Sequence, residues 1–551
     1  MRALSSLLSS AALALAFTLG TASAQAEDPW SDSDPPAPAP RYTLGDIGLR
    51  GGAEFRSNAL YVNPIALNSE SSRRIGWLEH RLRLDATIDY RDKVRIATSF
   101  DLLDGVLFGD NGTFGGTPAT NAGSNINAKN PNLARPCIGL RGENPLDSEA
   151  YGYTLCGTDP LRVRKAYGDV VLPIGLLRVG RQSVNVGTGV QAADGDGRPN
   201  RFGFARQGNQ VDRVLFATKP LEAFKPKKER DTSENKGLFL ILAYDRLVTD
   251  SVHVFGDDVQ QFDVAARFLL PKHALGRDLL ATAYYVHRWD TDNASKINSF
   301  GLRAQSHFGD FFVGFDGAMN VGSTREIAAA YKFITNDPVV DQLVLQGGAR
   351  AVVRYDRPLF SAYLEADYAS GDGDPNNRTP LTGFTFAEDA NVGLLLFEHV
   401  LAFQTARVAA AGTELIRRLG AQSFPPEAIA TRGAFTNGVA LFPQFDLRPV
   451  NGLLLRAGVL FAWAAAPVVD PVGSLLARDG LTIEDDLVNF VGGKPGSYYG
   501  TELDGRVSYR YMDHFLFDLE GAVLFPGNAL KDEDGNAVRS VLVQGRTTFF
   551  F

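Results

Sequence analysis

Cysteine is nearly missing from this chain: 551 residues contain two, Cys137 and Cys156. That argues against a small disulfide-stapled scaffold, and the lack of a Cys-x-x-Cys pair argues against dithiol redox chemistry. A surplus of positive charge is also missing. Fifty-five Lys and Arg stand against 63 Asp and Glu, a formal net charge of −8. Nothing in that balance favours nucleic acid as a partner. The chain has no Gly-x-Ser-x-Gly elbow, no His-Glu-x-x-His helix and no phosphate-cradling glycine loop ending in Lys-Ser or Lys-Thr. Its histidines, His80, His253, His273, His287, His307, His399 and His514, are scattered. No enzyme is expected, and a barrel hydrolase that collects Ser and His from separate strands is the residual alternative.

After the first residues there is no long apolar run either. The start carries Arg2, an apolar stretch from Leu7 to Leu19 and small residues at Ala22, Ser23, Ala24 and Ala26. A membrane anchor needs roughly 20 apolar residues, so this shorter stretch predicts a secretory signal peptide over 1–24, with cleavage after Ala26 as the alternative. Neither site precedes a cysteine, so the usual lipid anchor has no thiol. Residues 27–43 contain Asp34-Pro35-Pro36-Ala37-Pro38-Ala39-Pro40, which reads as a stiff extended tether in the periplasm. The rest, 44–551, reads as one unit.

That unit alternates. From Leu78 to Tyr90, Leu78, Leu82, Leu84, Ala86, Ile88 and Tyr90 interleave with Glu79, Arg81, Arg83, Asp85, Thr87 and Asp89. Strand side chains point to opposite faces in turn, so one face is apolar and the other charged. Such segments recur at the length of roughly 9–11 residues that a tilted strand needs to cross a bilayer. Short links such as Arg91-Asp92-Lys93 and Gly309-Asp310 alternate with long stretches, among them 109–160, 185–210, 322–341, 371–432 and 464–498. This is the pattern of an all-β, transmembrane antiparallel barrel with short periplasmic turns and long extracellular loops. The run Val392 to Ala402 is apolar without alternation. Assigning it to a loop leaves an even number of strands, about 18. The last strand ends on Phe551, a pattern that resembles the terminal aromatic signal by which the outer-membrane assembly machinery recognises its clients, so that machinery is an expected partner. Tyr90, Trp289, Tyr355, Trp463, Tyr509 and Tyr511 are placed to form interfacial girdles. The expected location is the bacterial outer membrane, in contact with its lipid.

If the apolar faces meet lipid, the charged faces line a lumen rich in arginine, whose guanidinium forks onto carboxylates and phosphates. Candidate selectivity residues are Arg81, Arg83, Arg178, Arg350, Arg354, Arg506 and Arg510. Arg81 with Arg83, and Arg350 with Arg354, share a face by even spacing. The alternative is that arginines and acids neutralise one another across neighbouring strands. Two loop motifs allow either calcium or an ordinary turn: Asp194, Asp196 and Asn200, and Asp372 with Asp374. No other cofactor is expected. Cys137 and Cys156 fall in one long outer loop and predict a disulfide.

Val179-Gly180-Arg181-Gln182, Ser370-Gly371-Asp372, Gly500-Thr501-Glu502-Leu503-Asp504 and Phe525-Pro526-Gly527 resemble phrases of the alginate-export type of outer-membrane channel and related porins. The resemblance implies a monomeric barrel with an arginine-rich conduit for anionic solutes and loops covering its mouth. It adds Arg181 to Arg350 and Arg354 as conduit candidates, although Arg178 and Arg181 have opposite parity and only one can face the lumen. The expected function is passive passage of small or polymeric, anionic solutes. The alternative is a plugged barrel that serves as a receptor or anchor.

Overall fold

The computed structural model describes residues 41–65, 67, 75–110, 159–184, 187–193, 195–197, 199–204, 208–249, 259–291, 294–325, 328, 338–374, 378–405, 431, 433–469, 496–531 and 534–551. The expected signal peptide, nearly all of the tether, both cysteines and Asp194 lie outside these residues. A short strand, β1 (Tyr42–Leu44), pairs with the start of β2 (Ile47–Asn63), so regular structure begins inside the segment read as tether. The chain then runs through β3 (Ile75–Tyr90), β4 (Val94–Asp110), β5 (Asp159–Leu172), β6 (Gly175–Ser183), β7 (Gln210–Thr218), β8 (Gly237–Thr249), β9 (Gln260–His273) and β10 (Gly276–Asp290). It continues through β11 (Ser295–Phe308), β12 (Phe311–Thr324), β13 (Gln342–Asp356), β14 (Phe360–Ala369), β15 (Gly438–Val450), β16 (Leu453–Trp463), β17 (Tyr498–Tyr511), β18 (Phe515–Pro526) and β19 (Ser540–Phe550).

Each strand pairs antiparallel with the next, and β19 pairs with β2, which closes β2 to β19 into an 18-strand barrel. Closure is what a bilayer demands, because no water is available there to satisfy an open sheet edge. The last residue takes part: Phe551 exchanges backbone bonds with Ala53 of β2 at 2.9 and 2.8 Å. No helix among the described residues is long and apolar enough to cross a membrane; the strands do so instead.

Parity sorts the side chains as the alternation requires. Leu84, Ile88, Phe315, Leu345, Leu364, Leu503 and Leu519 are exposed on the outer face. Arg83, Asp101, Arg350, Asp367, Arg506 and Asp518 are buried on the inner one. Aromatic residues collect at the outward strand ends, with Phe311 against Tyr355 at 4.9 Å on the short-turn side and Trp463 against Tyr498 at 5.4 Å on the long-loop side. The architecture is that of an outer-membrane barrel.

One link departs from the short-turn pattern. Residues 219–236 join β7 to β8 on the short-turn side and fold into a knob with an α-helical turn, Pro220–Ala223, and a 3₁₀ turn, Lys227–Glu229. Its Arg230 donates to the carbonyls of Lys225, Ala223 and Pro173, so the knob leans on the β5–β6 turn.

The orientation predicts a depth-dependent cost. Leu519→Arg, in the middle of β18 and facing out, is expected to lower bilayer folding stability by about 2–4 kcal/mol, and Val541→Arg, near the outer end of β19, by about 0–1 kcal/mol. Equal costs in a vesicle-folding titration would contradict the inside-out assignment.

Candidate functional site

The inner wall carries arginine–carboxylate pairs, most of them direct register partners and others, such as Arg81 with Glu54 and Arg506 with Asp518, diagonal ones. Arg83 lies opposite Asp101 and holds it through two bonds of 2.6 and 2.8 Å. Arg456 lies opposite Asp446 and does the same at 2.6 and 2.7 Å. Arg350 faces Asp367 at 2.7 Å and reaches Glu365 at 3.1 Å. Arg213 grips Asp245 at 2.6 and 2.5 Å, and Arg506 and Arg546 share Asp518, each at 2.8 Å. Arg81 pairs with Glu54 at 2.5 Å. Arg178 holds Asp169 at 2.7 and 3.0 Å, and Arg95 adds a second guanidinium to that carboxylate. A buried charge left alone costs several kcal/mol, so each pair stabilises the wall chiefly by sparing its partner that cost.

These arginines also hold a loop. A guanidinium has five N–H donors, and the carboxylate uses only some of them. The loop between β6 and β7 turns into the lumen and presents its backbone carbonyls to the remainder. Arg350 Nη1 donates to Thr188 O at 2.7 Å, Arg83 Nη1 to Asp196 O at 2.6 Å and Arg56 Nη1 to Gly197 O at 2.7 Å. Arg164 donates to Gly195 O. Arg456 Nη1 reaches Arg201 O at 2.7 Å, and Arg506 Nη1 reaches Asn200 O at 2.9 Å. Buried carbonyls need donors, and here the wall supplies them. Phe204 sits between two guanidinium carbons, Arg56 at 4.2 Å and Arg546 at 4.9 Å from its ring centre. The loop's own Arg201 crosses to the opposite wall, over the Tyr363 ring at 3.9 Å and onto Gln444 at 2.7 Å.

The long connection between β14 and β15 also enters. Its apolar run contains a π-helical turn, Leu396–Leu401, with Leu396, Phe397, Val400 and Leu401 buried. The run without alternation therefore belongs to a loop, as expected, and its apolar character is explained by a second core inside the barrel. Leu60, Trp77, Phe202, Phe435, Phe442, Leu460, Tyr499 and Leu524 pack around it. The turn is anchored by one wall carboxylate. Glu502 Oε1 accepts the amides of Leu394 and Leu395 at 2.7 and 2.8 Å, and Oε2 accepts that of Leu396 at 2.6 Å. The two loops are joined to each other, since Asp389 accepts Gly195 N–H at 2.6 Å and Asn200 donates to Asp389 O at 3.3 Å.

The expected site residues fall into distinct groups. Arg81, Arg83, Arg178, Arg350 and Arg506 face inward in pairs with acids. Arg354, on the same face as Arg350, bonds Asp356 at 2.7 Å, and Arg510 is a half-buried inward residue near the short-turn end of β17. Arg181 does not join them. Gly180, at φ +128°, precedes it, and its side chain lies on the outer face, forked onto Asp212 by two bonds of 2.9 Å. The conduit position implied by the family resemblance is corrected to the outer rim, and Arg178 is the member that faces in. At the first calcium motif, the Asp196 carboxylate is held by Lys165 and Ser183, both at 2.6 Å. At the second, Asp372 accepts the amides of Asp374 at 3.0 Å and Thr382 at 3.2 Å, a turn that caps its own backbone. Burial raises the Asp372 carboxyl above its ordinary value, against those two amide bonds.

No family model matches the chain, and no curated protein does. Solved structures do. OccAB4 of Acinetobacter baumannii is 10% identical over 91% of this chain and 98% of its own, with a TM-score of 0.46. The outer membrane protein OprD of Pseudomonas aeruginosa is 12% identical over 91% and 94%, with a TM-score of 0.43. A BenF-like porin from Pseudomonas fluorescens is 9% identical over 91% and 99%, with a TM-score of 0.45.

Among the described residues, the loop-to-wall contacts fall on β2, β3, β5, β6 and β12 to β19. The remaining arc presents other inward side chains. Arg267 of β9 and Arg303 of β11 flank Thr282 of β10 in register, and Arg288 reaches Gln261 at 3.0 Å. All three of these arginines are partly exposed. Strand parity alone turns Arg267 and Arg303 inward but does not separate them from arginines that clamp loops.

Glu502→Gln should weaken the three amide bonds by about 2–3 kcal/mol in sum, the usual worth of bonds to a charged acceptor. Single-channel records are expected to show larger and more variable conductance steps than the parent. Identical records from the two proteins would show that the turn stays in place without the carboxylate.

Proposed function

We propose that the chain is a narrow outer-membrane channel that passes small anionic solutes along the β7–β11 arc of its lumen. The observation that carries this reading is where the loops fasten: among the described residues their contacts fall outside β7–β11, and on that arc Arg267, Arg288 and Arg303 face inward and are partly exposed, beside Arg213, which Asp245 holds. A cationic strip in a low-dielectric passage favours anions, and a guanidinium suits carboxylate and phosphate alike. Two inserted loops favour a small solute over a polymer, so the passage of polymeric solute suggested by the alginate-export resemblance is the weaker reading. No cofactor has a role in such passage.

A plugged barrel is the competing reading, and the apolar core inside the lumen is what favours it. The two separate in a planar bilayer. The channel reading predicts discrete open currents and a reversal potential of anion-preferring sign in a salt gradient. Arg267→Gln with Arg303→Gln should move that potential towards zero and leave conductance within about twofold, while Arg350→Gln with Arg354→Gln should move it less. Absence of current from the well-folded protein would favour the plug, and a larger shift from the second pair would sink the assignment of the arc.

A further inference from the structure

We propose that the outer rim of β6–β11, on the lipid side, docks the phosphorylated headgroup of an outer-leaflet glycolipid. The inference rests on the barrel lying in the outer membrane with its long loops outward. One row of register partners runs across six adjacent strands near their long-loop ends: Arg181, Asp212, Arg246, Gln260, Trp289 and Lys296. All lie on the face away from the lumen, because their neighbours Gln182, Arg213, Asp245, Gln261, Asp290 and Ser299 carry the inward parity and are buried. Arg246, Asp212 and Lys296 are exposed. Elsewhere on the same rim outward positions such as Leu343, Val439, Trp463 and Val541 are apolar. A cation facing lipid costs about 2–4 kcal/mol at the bilayer centre but about 0–1 kcal/mol at its edge, so a charged row at the strand ends belongs at headgroup level.

Within the row itself stand the cations Arg181, Arg246 and Lys296 and the carboxylate of Asp212, which Arg181 holds through two bonds of 2.9 Å. Arg246 and Lys296 bracket Trp289, whose ring stacks on His287 at 5.5 Å and lies 6.3 Å from Tyr244. Immediately below, Tyr244, Phe262, His287 and Asn298 form a second register row. It is tied together by Tyr285 Oη to Asn298 at 2.8 Å and by His287 Nδ1 with the same oxygen at 3.0 Å. Guanidinium and ammonium groups above an aromatic, hydrogen-bonding platform match a phosphate on a sugar whose acyl chains continue down the barrel wall. A second copy of this chain fits less well, since a two-fold contact through this row would set cation against cation.

The test is native mass spectrometry and a binding titration with a bisphosphorylated, acylated glucosamine disaccharide. The wild-type barrel is expected to retain this glycolipid through purification. Arg246→Gln with Lys296→Gln is expected to weaken its binding about tenfold or more, the scale for two surface cations near charged lipid. Asp212→Asn, which removes the anion of the row, is expected to tighten it. The same glycolipid stripped of phosphate should bind the wild type no better than the intact one binds the double variant. Equal retention by wild type and double variant, equal binding of the stripped lipid, weaker binding by Asp212→Asn, or loss of an oligomer as the double variant's sole change would each overturn the proposal. Because Arg246 and Lys296 face away from the lumen, the double variant keeps its channel conductance, and a failure here is distinguishable from failure of the channel reading.

Discussion

A buried guanidinium must find several acceptors at once, and that requirement organises the lumen. In a barrel wall one carboxylate arrives from the neighbouring strand by register, as Asp446 does for Arg456 and Asp101 for Arg83. The N–H groups left over point into the cavity. A loop backbone entering the lumen has the complementary problem, carbonyls with no strand partner. Bringing the two together satisfies both. The loop's path from Thr188 to Arg201 is traced by the arginines that catch its carbonyls. The second loop uses the inverse device, amides of Leu394 to Leu396 caught by the wall carboxylate Glu502.

This arrangement explains why a barrel of this width is not simply an open pipe. Ion pairs alone would hold the wall rigid and leave the centre to water. Here the apolar side chains of the long loop, Phe397, Val400 and Phe403 among them, meet inward apolar residues such as Leu60, Leu460 and Leu524. Part of the lumen therefore has a core of its own. Among the described residues the other arc carries none of these loop contacts, and its inward side presents the partly exposed Arg267, Arg288 and Arg303.

The outline of this was legible from the residues. Two-residue periodicity placed Arg81 with Arg83 and Arg350 with Arg354 on one face, because parity is a local property of a strand. The odd spacing of Arg178 and Arg181 warned that one of them faces outward, and the chain puts Arg181 there. Pairings were not legible. Whether Arg350 meets Asp367 depends on the register across the β13–β14 turn, and whether Arg506 meets Asn200 depends on a loop that returns from β6. The non-alternating run at 392–402 was the one local trace of the inner core: a segment apolar on all sides needs burial on all sides. The knob at 219–236 left no such trace, since a polar link of that length reads like any outer loop.

The central claim is that both loops are fastened inside the lumen by wall side chains, and hydrogen exchange at their amides measures it directly. The amides of Gly195, Gly203 and Leu394 to Leu396 all donate to carboxylates. In the folded, detergent-bound protein they are predicted to exchange as slowly as wall amides such as those of β18. Exchange as fast as that of the exposed turn at Gly309 would contradict the account.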